Sequence, residues 1–138
     1  MNPAEFIVLA GRIVTFGPAG ARTAVSRSYY GAFHEALDLL DDIGCGCPRN
    51  GKAHNLVPIF LDFPGISDAR RASGLLSDLH SDRVKCDYRL RELSVEDTAF
   101  AKLDVETSIK ITDLLKKFQL ECQSAPMLQA FQSHVARI

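Results

Sequence analysis

The stretch from Ala21 to Ile43 constrains the fold more than any other part of the chain. Its apolar residues Val25, Tyr29, Ala32, Phe33, Ala36, Leu40 and Ile43 recur every three or four positions. At 100° per residue they line one side of a long helix. A helix with such a stripe is stable only when other elements cover the stripe. The remaining sequence supplies them as further helices. Asn2 and Pro3 open a first helix over about 2–16, closed by Gly17-Pro18-Ala19-Gly20. The glycine- and proline-bearing run 44–51 is a loop. A short third helix covers about 53–63, and Phe63-Pro64-Gly65 breaks it. Ser67 caps a fourth helix that reaches about Tyr88. Ser94-Val95-Glu96-Asp97 opens a fifth with an acid at the capping-box position, and that helix runs to about Cys122. After Ser124-Ala125-Pro126 comes a last short helix over 127–136. Period-2 alternation bounded by turns is absent, so no sheet is expected. The expectation is an all-α, up-and-down helical bundle of four to five main helices, built by residues 1–138 as a single domain.

Composition narrows the function classes. The chain of 138 residues is 46% hydrophobic, enough to fill a core, which excludes disorder as its main character. Sixteen basic residues against 17 acidic ones exclude a protein that coats polyanions generally. Any nucleic-acid contact has to be local. No span approaches the roughly 20 apolar residues of a membrane helix, and the N-terminus lacks the basic start of a secretory signal. A cytoplasmic protein without membrane contact is expected, with Cys45, Cys47, Cys86 and Cys122 as reduced thiols.

Two helices carry more than core. On the second, Arg27, His34, Asp38 and Asp41 fall almost opposite the apolar stripe, and Tyr30 lies at its edge. That pattern suits a solvated face, but Gly31 beside Arg27 and His34 costs about 1 kcal/mol against Ala in mid-helix. It therefore calls for close approach by another backbone, which favours a contact surface. On the fourth helix Arg83 and Asp87 fall inside the stripe of Ala72, Leu75, Leu76, Leu79 and Cys86. Their i, i+4 spacing lets them pair. Either the pair closes the bundle structurally, or Arg83 is held in a low-dielectric niche for a phosphate or carboxylate, with Tyr88 adding a phenolic donor. Lys85, Arg89 and Arg91 make 83–91 the most basic stretch. His54 opens the third helix, where anions are welcome. His80 and His134 read as exposed helix positions. Cys45-Gly46-Cys47 near His54 lacks the ligand count and spacing of zinc, so no metal or cofactor is expected. No phosphate loop, dinucleotide fingerprint or serine elbow occurs.

The run Ala24-Val25-Ser26-Arg27-Ser28-Tyr29-Tyr30-Gly31-Ala32-Phe33-His34-Glu35-Ala36 resembles the signature of HEPN-domain proteins (higher eukaryotes and prokaryotes nucleotide-binding), in the small prokaryotic branch marked by a Ser-Arg-x-Tyr-Tyr-x-Ala-Phe-His helix. His54 at the start of the third helix, the Leu-rich fourth helix and its ending Arg83 to Tyr88 agree in order, so the likeness spans about 20–120. It implies a helical bundle that dimerises through its long helices. Many such proteins are metal-independent endoribonucleases of toxin–antitoxin, CRISPR and phage-defence systems, often beside a minimal nucleotidyltransferase. Their motif is an Arg followed four to six residues later by a His, the His moving the 2′-OH proton and the Arg stabilising the phosphorane. Here Arg83 is followed by Asp87 and Tyr88, with no His. Arg49 and His54 match the spacing only formally, in the loop before the third helix.

The resemblance thus implies a homodimer that binds RNA or a nucleotide. Arg83, His34 and His54 are the candidates for catalysis, and Arg27, Tyr30, Asp87 and Tyr88 those for ligand contact. The alternatives are a non-catalytic HEPN module that senses a nucleotide or neutralises its partner, and a helical interaction adaptor without a ligand.

Overall fold

The computed structural model describes all of residues 1–138, and the chain is an all-α bundle. Its helices are α1 (Ala4–Ile13), α2 (Gly17–Asp42), α3 (Ala53–Leu61), α4 (Ser67–Tyr88), α5 (Thr98–Glu121) and α6 (Ala125–Ala136), with one 3-10 turn at Leu93–Glu96. No helix is long and apolar enough to cross a membrane. α2 is the central rod, packed against α1, α4 and α5. Its expected stripe is buried from Val25 to Leu40, with Ile43 half-buried at the end. All four cysteines are buried free thiols.

The helix ends shift from the expected places for local reasons. Asn2 does cap α1, its side chain accepting from the Ala4 amide at 3.0 Å. Yet α1 stops at Ile13, and the Gly17-Pro18-Ala19-Gly20 run, expected as a linker, is the first turn of α2. Gly17 alone makes the reversal, at φ +74°, and Pro18 then starts the helix, where its missing N–H costs nothing. Pro126 shifts the start of α6 to Ala125 in the same way. Ser94 does not cap α5. The capping residue is Asp97, which accepts from the Ala99 amide at 3.2 Å, while Leu93–Glu96 forms the separate 3-10 turn.

Gly31 is approached closely, but from within the chain. A Cβ there would lie 2.7 Å from Ile7 Cγ1 and 3.1 Å from the Pro3 carbonyl oxygen. The empty position lets α1 lie antiparallel along α2. The contact surface expected at Gly31 is thus taken up by α1, and the glycine gives no support to a contact between two chains. Phe6 of α1 also covers the polar face of α2: it stacks near His34 and lies under Arg27, so Arg27 and His34 are half-buried rather than solvated.

The least anticipated structural residue is Arg22, which no apolar pattern marks. It is 8% exposed on α2. Its guanidinium donates to the carbonyls of Lys85, Cys86, Arg89, Leu90 and Glu92 at 3.0–3.3 Å, and its Nε donates to Glu96 at 2.8 Å. The last turn of α4 leaves carbonyls without helical partners, and a cation there also suits the helix dipole. Arg22 thus fixes where α4 ends and how the 89–96 segment folds back. At the opposite end, Phe131 of α6 is wholly buried, its ring centre 4.8 Å from Phe118 and 5.6 Å from Phe63. His134, expected to be exposed, is half-buried there and bonds the Phe60 carbonyl at 3.1 Å.

Arg22→Ala should strand Glu96 and the α4 carbonyls, costing about 3 kcal/mol or more in urea unfolding. Gly31→Ala should gain helix propensity but lose more to overpacking, for a net loss of about 1–2 kcal/mol. Because the obstacle is Ile7 of the same chain, the loss should be equal in dilute and concentrated protein. A loss that grows on concentration would place the contact between chains.

Candidate functional site

α2 and α4 run antiparallel, which sets Ser26, Tyr29 and Tyr30 of one against His80, Arg83 and Asp87 of the other. Tyr29 and Tyr30 are neighbours in sequence, so their side chains leave the helix about 100° apart. Tyr29 goes into the core at 1% exposure, and Tyr30 lies at the boundary. Arg83 packs against both: its guanidinium carbon lies 4.9 Å from the Tyr30 ring centre and 5.8 Å from that of Tyr29. The exposed Tyr88 ring is 5.5 Å away. Arg83 also donates to the Tyr30 hydroxyl. Arg27 also stands 4.7 Å from the Tyr30 ring centre, so two guanidinium groups share one phenol ring.

The expected Arg83–Asp87 pair forms, with Nε 2.9 Å from Oδ2, but the N–H is not aimed at the oxygen. Ser26 Oγ donates to the same oxygen at 3.1 Å. Asp87 does not share the burial expected from the stripe, since its side chain is 28% exposed against 11% for Arg83. The helix ends within a residue of Asp87, at Tyr88, so nothing continues to cover it.

The histidines complete the cluster. His54, in the first turn of α3, places Nδ1 2.6 Å from the Tyr29 hydroxyl and lays its ring 4.4 Å from Phe33, nearly parallel. His80, expected as an exposed helix position, is half-buried instead, with its ring 5.0 Å from Tyr29 and 5.5 Å from His54. His34 neighbours Tyr30 and Phe6, each at 6.3 Å. Burial lowers the His54 pKa, and the positive charge of neighbouring His80, Arg83 and His34 lowers it further. His80 is lowered by burial and then by Arg83. The Tyr29 phenol is raised well above its ordinary value by burial, against the pull of Arg83. Both imidazoles are therefore kept neutral, and the phenol keeps its proton.

All seven expected site residues, Arg27, Tyr30, His34, His54, Arg83, Asp87 and Tyr88, fall in this one cluster. The sequence reading missed Tyr29 and His80. Tyr29 was hidden in the apolar stripe. His80 lies three residues before Arg83, one helical turn away, and that spacing was the available signal.

A cleft of about 190 Å³ opens beside His54, with walls of Tyr30, Phe33, Leu37 and Ala53 and polar groups from His34, Asn50 and Arg49. Arg49 thus shares the cleft with His54. Its guanidinium is engaged elsewhere, by Asp38 and Asp41 of α2, and is half-exposed. No three His, Cys, Asp or Glu side chains gather in a way that could hold a metal ion. What the cluster offers chemically is two cations on aromatic faces, neutral imidazoles and a single carboxylate, a set suited to an anionic ligand.

The depressed histidines set a pH dependence. The unfolded chain takes up protons on His54 and His80 below the ordinary histidine value of 6.5, whereas the folded chain resists them. Their contribution to stability is complete above 6.5 and is lost as pH falls below it. Urea midpoints should decline on acidification through that range, and His80→Gln should flatten the decline. An unchanged slope in the variant would exclude His80 as a source.

No protein-family model, no curated protein and no solved structure matches this chain.

Proposed function

We propose that the chain is a HEPN-like protein that binds RNA or a nucleotide, with Arg83 as the ligand of a phosphate group. The observation that carries this reading is the contrast between its two buried arginines. Arg22 spends its donors on five carbonyls and a carboxylate, as a structural arginine does. Arg83, buried to a similar degree, has one hydroxyl acceptor and a misaligned carboxylate for its five N–H groups. A buried guanidinium Nε without an aligned acceptor is costly unless a ligand completes it, and a phosphate can engage that edge of the group bidentately. Arg27, Tyr30 and Tyr88 flank the position such a ligand would take. The sequence likeness supplies the rest of the proposal: a homodimer, a minimal nucleotidyltransferase as partner, and a place in a toxin–antitoxin or defence module.

In an endoribonuclease of this kind His34 and His54 would move protons while Arg83 stabilised the phosphorane. Asp87 stands where the family motif carries its His, and a carboxylate cannot serve as a cationic acid there. Asp87 beside Arg83 favours a second reading, a non-catalytic module that binds a nucleotide or neutralises its partner.

Three proteins separate these readings: wild type, Arg83→Ala, and the double variant Arg83→Leu with Asp87→Leu. The double variant should fold, because it puts an apolar side chain at the buried position 83 and removes the carboxylate that would otherwise lose its partner, while position 87 lies at the less buried end of α4. Fluorescence anisotropy with a labelled single-stranded RNA of about ten nucleotides, and with ATP in competition, should show wild-type binding that falls at least about tenfold in both variants. Undiminished binding by the folded double variant would remove Arg83 from the site. Incubation of wild type with the RNA in excess chelator then decides catalysis: intact RNA supports the binding module, and cleavage lost in Arg83→Ala supports the nuclease.

A further inference from the structure

Tyr29 is buried between α2, α3 and α4, and its hydroxyl has a single hydrogen-bond partner, Nδ1 of His54 at 2.6 Å. Two arrangements fit that distance. If Nδ1–H donated to the phenol oxygen, the phenol's own proton would be buried without an acceptor, which is unfavourable. If the phenol donates to the Nδ1 lone pair, both groups are satisfied. Burial keeps the phenol protonated and so able to donate. The ring plane is held as well: Phe33 lies 4.4 Å from His54 at 18°, and His80 lies 5.5 Å from it at 8°.

We propose that Tyr29 is a positioning residue that fixes His54 as a neutral imidazole carrying its proton on Nε2, so that the ring lining the cleft offers a hydrogen-bond donor to a ligand oxygen and is not a resting base. The choice of ligand rests on the phosphate-binding reading above; the state of the ring does not. With the Nδ1 lone pair committed to Tyr29 and Nε2 occupied by a proton, His54 has no free lone pair to take a proton from a substrate. A second proton would create an imidazolium among Arg83, His80 and His34, the groups that already disfavour it. Charge recognition thus falls to Arg83 and Arg27, and His54 contributes a directed neutral N–H toward an acceptor oxygen. The role first expected for His54, proton transfer, changes to hydrogen-bond donation.

Nitrogen-15 NMR of uniformly labelled full-length protein at neutral pH reads the state of the ring directly. The expected wild-type spectrum has His54 with a protonated Nε2 and an unprotonated Nδ1. Tyr29→Phe keeps the ring and removes only the hydroxyl, so it should stay folded and let the Nδ1–H form appear. With the labelled RNA of the previous section as probe, Tyr29→Phe should bind several-fold more weakly. His54→Gln, whose amide places an N–H near the Nε2 position, should bind better than His54→Ala and be indifferent to a second Tyr29→Phe change. A wild-type His54 that is protonated on Nδ1, or is an imidazolium at neutral pH, overturns the proposal. So does a folded Tyr29→Phe protein with an unchanged tautomer. If wild type binds no RNA, the phosphate-binding reading fails, while the spectra still decide the role of Tyr29.

Discussion

The packing of α2 against α4 depends on how the C-terminus of α4 is closed. A helix end leaves its last carbonyls without partners, and burying them uncompensated would cost more than the packing returns. Arg22 resolves this from a neighbouring helix. By donating to the carbonyls of Lys85, Cys86, Arg89, Leu90 and Glu92 it closes α4, and through Glu96 it also orders the chain that leads into α5. Three elements are thereby set relative to one side chain. The register that results is what brings Tyr29 and Tyr30 opposite His80 and Arg83, one to two turns further along the same pair of helices.

That register makes an unusual electrostatic neighbourhood. Two arginines and three histidines gather about Tyr29, Tyr30 and Phe33, with Asp87 as the one carboxylate bonded into the group. Cations so close together would repel if all were charged. The fold relieves this by keeping His54 and His80 neutral and by resting the guanidinium groups on aromatic faces. A different compromise occurs on the far side of α4, where Asp104 of α5 is buried near Asp82. Burial above all, and then the neighbouring carboxyl, raises Asp104 far above the usual carboxylate range, so it is held protonated. Both sides of α4 thus pack titratable groups by discharging them.

Much of this was legible in the chain itself. The 3.6 periodicity of Val25 to Leu40 and the breakers at Gly44–Gly51 and Pro64-Gly65 determined an all-α bundle with α2 at its centre, because helical spacing and chain-breaking residues act locally. The likeness of Ser26–His34, His54 and Arg83–Tyr88 to a known pattern named seven residues that do meet in one place. Helix starts were misjudged where a proline allowed two readings: Pro18 and Pro126 begin helices rather than separate them.

What only the tertiary structure decided is what each group faces. Arg22 carries no local mark of its role, since its carbonyl partners lie more than sixty residues away. Gly31 signalled a close approach, but whether α1 or a second chain fills it depends on the antiparallel turn at Gly17. Tyr29 has the spacing of an ordinary core residue, and only the placement of α3 gives its hydroxyl His54 as a partner. Asp87 has the spacing of a buried residue and escapes burial because α4 ends beside it. Periodicity specifies which face of a helix turns inward. The partner met there is fixed by packing between distant segments, and no local pattern encodes it.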